Sequence, residues 1–113
     1  MREGSERYEY NERQFRLMLD HLTSFEDGKL RLDTLVDNLE GLLNALEGVE
    51  DSWKETFLDD WAKLEDARAH ALFKGTRAFD HETTERLRSA VARLKLQVLY
   101  QVDDPADKQR NNE

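Results

Sequence analysis

Three histidines and twenty-five acidic residues are the side chains of this chain that could hold a metal or move a proton. Their spacing supports neither task. His21, His70 and His81 fall on three different predicted elements, so none forms the Glu-x-x-His pair of di-iron bundles. His81-Glu82-Thr83-Thr84-Glu85 opens like the H-E-x-x-H zinc pattern, but its last residue is Glu. Asp59-Asp60 and Glu65-Asp66 are adjacent on a predicted helix, where neighbouring side chains diverge by roughly 100° and cannot share one metal or one proton. Asp60 alone lies beside an apolar face, and a single inward acid does not make a carboxylate metal site. Residues 74–81 hold one glycine, too few for a phosphate-binding loop. Cysteine is absent, and serine, histidine and acid fall in no recognisable triad order. The reading is of a protein that is not an enzyme, with no catalytic residue, no metal site and no cofactor.

What the carboxylates do form is an acidic band. Across residues 31–72 eleven acids face four bases, which accounts for seven of the eight net negative charges, while the flanking segments nearly balance. A one-signed patch steers an oppositely charged partner and keeps a protein soluble. Nucleic acid and anionic lipid bind through Lys and Arg, so direct contact with either is not expected of this chain.

The elements that carry the band are helical. At 113 residues, with 38% hydrophobic and 37% charged residues, the chain has the size of one domain and enough leucine and aromatic content to fold. The expectation is a single helical domain ordered over about residues 8–102. Residues 103–113 lack an apolar anchor and are expected to form a disordered tail. The opening residues show no apolar signal region, no stretch reaches the length of a membrane span, and the lack of cysteine fits the cytoplasm.

Four periodic segments follow one another without a strand-like alternation. The first has Tyr10, Asn11, Gln14 and Phe15 in the form of a helix start, with Asn11 as the cap and Tyr10 stapled to Phe15, then an inward stripe of Phe15, Met18, Leu19, Leu22 and Phe25 ending at Asp27-Gly28. The second repeats Leu32, Leu35, Val36, Leu39, Leu42, Leu43 and Leu46, with Gly48 in the place of a terminating glycine. Ser52-Trp53-Lys54-Glu55 has the form of a capping box opening the third, whose inner face is Trp53, Phe57, Trp61 and Leu64 and whose pattern fades at about residues 72–75. The fourth starts after Asp80 and turns Leu87, Val91, Leu94 and Val98 inward, with Leu96, Leu99 and Tyr100 expected to widen the stripe toward its end. Short connections favour antiparallel neighbours, which predicts an all-α, up-down-up-down antiparallel four-helix bundle.

On that frame Asp33, Asp37, Glu40 and Glu47 share one edge of the second helix, displaced by roughly 120° from its apolar stripe. Glu55, Asp59 and Asp66 point away from the Trp and Phe face of the third. Like charges four apart on a helix repel by a few tenths of a kcal/mol, a small cost that marks these seven acids as a candidate partner-binding set. Charge runs also occur simply as solvated faces. Trp53 and Trp61 read as core packing rather than as a binding cage, whereas Tyr8 and Tyr10 read equally as a staple or as interface anchors.

These features together resemble the small acidic bacterial immunity proteins of contact-dependent inhibition and related polymorphic toxin systems. The resemblance rests on Tyr10-Asn11-Glu12-Arg13-Gln14-Phe15-Arg16-Leu17-Met18-Leu19, on the leucine-rich residues 35–46, and on the spacing of Trp53, Phe57, Trp61 and Leu64-Glu65, a span of residues 10–65. The immunity proteins of nuclease colicins are likewise acidic four-helix domains, but their third helix carries a Tyr-Tyr pair followed by proline that this chain lacks, so their contact residues do not transfer. The resemblance implies a cytoplasmic inhibitor that occludes a cognate, basic nuclease toxin. The alternative is a helical interaction or adaptor module, a homodimer built on Leu17, Leu58, Leu96 and Leu99, which lie off the main stripes. Exposure of those leucines would favour self-association.

Overall fold

Apolar residues recurring every three to four positions can be buried only if the helices that carry them turn those stripes toward one another. The computed structural model describes residues 4–75 and 79–102, and its four helices do this. They are α1 (Gly4–Glu26), α2 (Leu32–Ala45), α3 (Asp51–Lys74) and α4 (His81–Val102). The helices contact in a ring, α1 with α2, α2 with α3, α3 with α4 and α4 with α1. Asn11 near the start of α1 meets Glu47 just past the end of α2, and Trp53 and Asp60 of α3 meet Gln97 and Arg93 of α4 in reverse order. Neighbours are therefore antiparallel, as in an all-α four-helix bundle. The expected tail at 103–113 lies outside the described residues.

The core is formed by the predicted stripes except toward the end of α4. There Leu96, Leu99 and Tyr100 do not widen the inward face but stay exposed, because they lie on the side of the helix turned away from its buried stripe. Met18, Leu22, Leu35, Leu39, Phe57 and Leu94 are fully buried, each contributing roughly 1.5–3 kcal/mol relative to exposure. Trp53 and Trp61 pack partly buried against that core, as Trp53 does edge-on to Phe15, with ring centres 5.6 Å apart. Both indoles are also pinned at their polar end. Trp61 Nε1 donates to the carbonyl of Val36 on α2 at 3.0 Å, and Trp53 Nε1 donates to that of Gln97 on α4 at 3.1 Å. The third helix is thus stitched to both neighbours by the N–H groups of its two tryptophans.

Helix ends agree with the sequence at some places and depart at others. Asp80 caps α4, its Oδ1 accepting from the Thr83 amide at 2.7 Å, and α3 closes on Gly75 in the left-handed region. Helix α1, however, begins at Gly4, so Asn11 is an interior helical residue and not its cap. No proline or glycine interrupts the turns between them, and the Asn11 side chain finds its partner on the α2–α3 connection instead. Helix α2 ends at Ala45 because Leu46 leaves the helical path to plug the core, at 6% exposure. Gly48, with φ of 69°, turns the connection farther on rather than closing the helix. Helix α3 starts one residue before Ser52, with Glu50 at the cap position and no side-chain cap bond, so the Ser52–Glu55 box does not form.

Candidate functional site

Of the seven acids singled out by spacing, Asp37, Glu40, Glu55, Asp59 and Asp66 are exposed, whereas Asp33 and Glu47 are half-buried. Asp33, Asp37 and Glu40 lie on α2, and Asp37 meets α3 through Arg68. Glu47 does not join them on the helix, since α2 ends before it. Its backbone is instead clamped by Asn11, whose Nδ2 donates to the Glu47 carbonyl at 2.6 Å and whose Oδ1 accepts from the Glu47 amide at 3.0 Å. Glu55, Asp59 and Asp66 project outward from α3. The two acid sets therefore wrap the α2–α3 half of the bundle rather than forming one flat face.

Arg68 joins the sets. Its Nη1 donates to Asp37 of α2 at 2.9 Å, while Nη2 lies 2.6 Å from Glu65 on its own helix. Glu65, and secondarily Asp37, push the guanidinium above its ordinary pKa against the opposing effect of burial. One cation is thus held between two carboxylates across the seam. Arg31 lies 3.2 Å from Asp33, an exposed pair of small energetic weight. Toward the α2–α3 connection the balance changes, because residues 40–55 hold five acids and only Lys54 as a base.

Sequence reasoning missed the role of Asp60. It is 5% exposed and accepts from Arg93 Nε at 2.9 Å, Lys63 Nζ at 3.0 Å and Gln97 Nε2 at 2.7 Å. Burial raises its pKa, but the hydrogen bonds and charges of Arg93 and Lys63 outweigh that effect and hold the carboxyl below its ordinary range. The carboxylate is committed to tying α3 to α4. Among the described residues no group of three or more His, Asp or Glu side chains is placed to hold a metal ion, and His21, His70 and His81 stand on α1, α3 and α4. No helix among them is long and apolar enough to cross a membrane.

A cleft of about 800 Å³ lies at the pole where α1 begins, α2 passes into α3 and α4 ends. Phe15, Trp53, Tyr8 and Tyr100 supply aromatic surface, Glu12, Glu47 and Glu50 supply carboxylates, and Arg7 is its one cation among the described residues. Tyr100 is 62% exposed at the rim. Trp53, predicted as core packing, does two jobs: it meets Phe15 in a T-shaped contact and it also lines the cleft. Tyr8 and Tyr10 are both interior to α1 and half-buried, and Tyr8 lines the cleft.

Apolar side chains also reach solvent. Leu17, Leu58, Leu96 and Leu99 are exposed, Leu96 most at 67%. On α4, Ser89, Ala92, Leu96 and Leu99 follow one another at spacings of three and four on the outer face, the pattern of a narrow helix-pairing seam. Comparisons with protein-family models, with curated proteins and with solved structures find no match to this chain.

Proposed function

We propose that this protein is a non-enzymatic inhibitor that binds and occludes a cognate basic toxin, a nuclease, in the bacterial cytoplasm. The observation that carries the reading is the run of solvent-facing carboxylates on the α2–α3 half, which has few bases to balance it between residues 40 and 55. A nuclease must attract a polyphosphate, so its substrate surface is basic, and an anionic protein surface competes for it. Charge speeds the encounter, and a few desolvated contacts set how long the complex lasts. Asp33, Asp37, Glu40, Glu47, Glu55, Asp59 and Asp66 form the proposed contact set. The similarity to immunity proteins in the pattern over residues 10–65 supports the same reading.

The test is co-expression of the tagged chain with the product of the reading frame immediately upstream. Co-elution as a stoichiometric complex whose association slows as salt rises is the expected result. A lone protein with no bound toxin removes the inhibitor reading.

The exposed leucines favour a second reading, a helical adaptor that pairs with its own copy through the outer face of α4. Leu96 and Leu99 would form the centre of such an interface, and the acidic band would then serve solubility.

A further inference from the structure

The cleft at the α2–α3 connection combines features that neither the acidic band nor the core requires. It is concave, three aromatic rings of it reach solvent or half-burial, and its charge is mostly carboxylate. Aromatic faces attract cations through their quadrupole, and arginine prefers them because its flat, weakly hydrated guanidinium can stack while its N–H groups meet a carboxylate. The cleft admits a guanidinium beside its backbone wall: the side chain of Arg7 lies against Gly48, over the position a Cβ would fill. Glu50 stands at the cap position of α3 without spending its carboxylate on a cap bond.

We infer that the cleft is a receptor for an arginine side chain projecting from a basic protein partner, with Trp53 and Tyr100 as the stacking walls and Glu50 as the anionic contact. This inference rests on the inhibitor reading for the partner's identity and adds to it the anchor that the broad acidic surface lacks. Arginine, tryptophan and tyrosine are the side chains that most often dominate protein interfaces when they meet in a partly desolvated pocket. The rest of the band then steers, and the cleft holds.

The experiment needs no toxin. The full-length protein, labelled for NMR, is titrated with acetyl-Gly-Arg-Gly-amide, with the lysine peptide and with the neutral citrulline peptide. Saturable shifts of the Trp53 indole N–H with the arginine peptide, and little change at the Trp61 indole, are expected. The Trp61 indole serves as an internal reference, because its N–H is bonded to Val36 on the seam away from the cleft. The lysine peptide should bind several-fold more weakly and the citrulline peptide about tenfold more weakly. Tyr100→Ala and Glu50→Gln should each weaken arginine binding severalfold, and neither removes a core contact. Equal response to citrulline, equal response at both indoles, or no response at Trp53 overturns the inference. A toxin complex that forms while the peptide fails to bind leaves the inhibitor reading standing without the cleft, and peptide binding without any toxin complex does the reverse.

Discussion

Asn11 and Glu47 are joined amide to peptide, the side chain of the first both donating to and accepting from the backbone of the second. Asn11 is 8% exposed, so neither bond is exchanged cheaply for water. The pair fixes the α2–α3 connection against α1 and thereby sets the floor of the cleft.

Replacing Asn11 by alanine leaves the Glu47 amide and carbonyl without these partners. The expected loss is about 2 kcal/mol of stability, read as a lower urea midpoint at unchanged slope. Asn11→Asp should cost more, since a carboxylate can accept from the amide but faces the Glu47 carbonyl with no hydrogen to offer. If both variants unfold at the wild-type midpoint, the clamp does not hold the connection.

Asp60 should shape the acid limb of stability. Its folded pKa lies below the unfolded value, so its contribution is complete above the unfolded value, about 4, and disappears as pH falls through the lower folded value. Asp60→Asn keeps the shape but removes the charge that Arg93 and Lys63 address. The variant should lose about 2 kcal/mol at neutral pH and show a flatter decline below about pH 4. Parallel stability curves for the two proteins through that window would contradict the assignment.

Charge reversal on α2 tests the steering surface. The triple change Asp33→Lys, Asp37→Lys and Glu40→Lys should slow toxin association by about tenfold at low salt and flatten its salt dependence. Helical circular dichroism should stay unchanged, because none of the three is in the core. Arg68 would lose Asp37 but keep Glu65. An association rate equal to the wild type at low salt would exclude this edge from the encounter.

Self-association has its own test in the outer face of α4. If that face pairs two copies, sedimentation should show a concentration-dependent dimer that Leu96→Glu with Leu99→Glu abolishes while the fold persists. A monomer at every concentration in the wild type removes the adaptor reading in its homodimeric form.

The packing stripes were legible in the sequence because burial imposes a period that survives in residue type, as Leu35, Leu39 and Leu43 or Leu87, Val91 and Leu94 show. Glycine and acidic stops were legible where the local backbone alone decides, at Gly75 and Asp80. Asn11 and Ser52 were not, since the residues that cap helices are also those that serve in their interiors, and only the approach of another segment separates the two uses. Asp60 was opaque for the same reason: three donors converge on it from two helices, and two of those donors stand 33 and 37 residues away. The candidate acids were legible as a band, but not their division between the edge of α2, the outside of α3 and the connection that holds Glu47.

The antiparallel ring places the Asp27-Gly28 turn at the opposite pole from the cleft, on a body 53 Å long, with Tyr8 and Tyr100 both at the cleft's own end. A fluorophore attached beside Tyr8 or Tyr100 would shadow the cleft it was meant to report on. The turn at Gly28, solvent-facing and with no neighbour near its Cβ position, is the site from which the molecule can be tethered with its cleft presented outward.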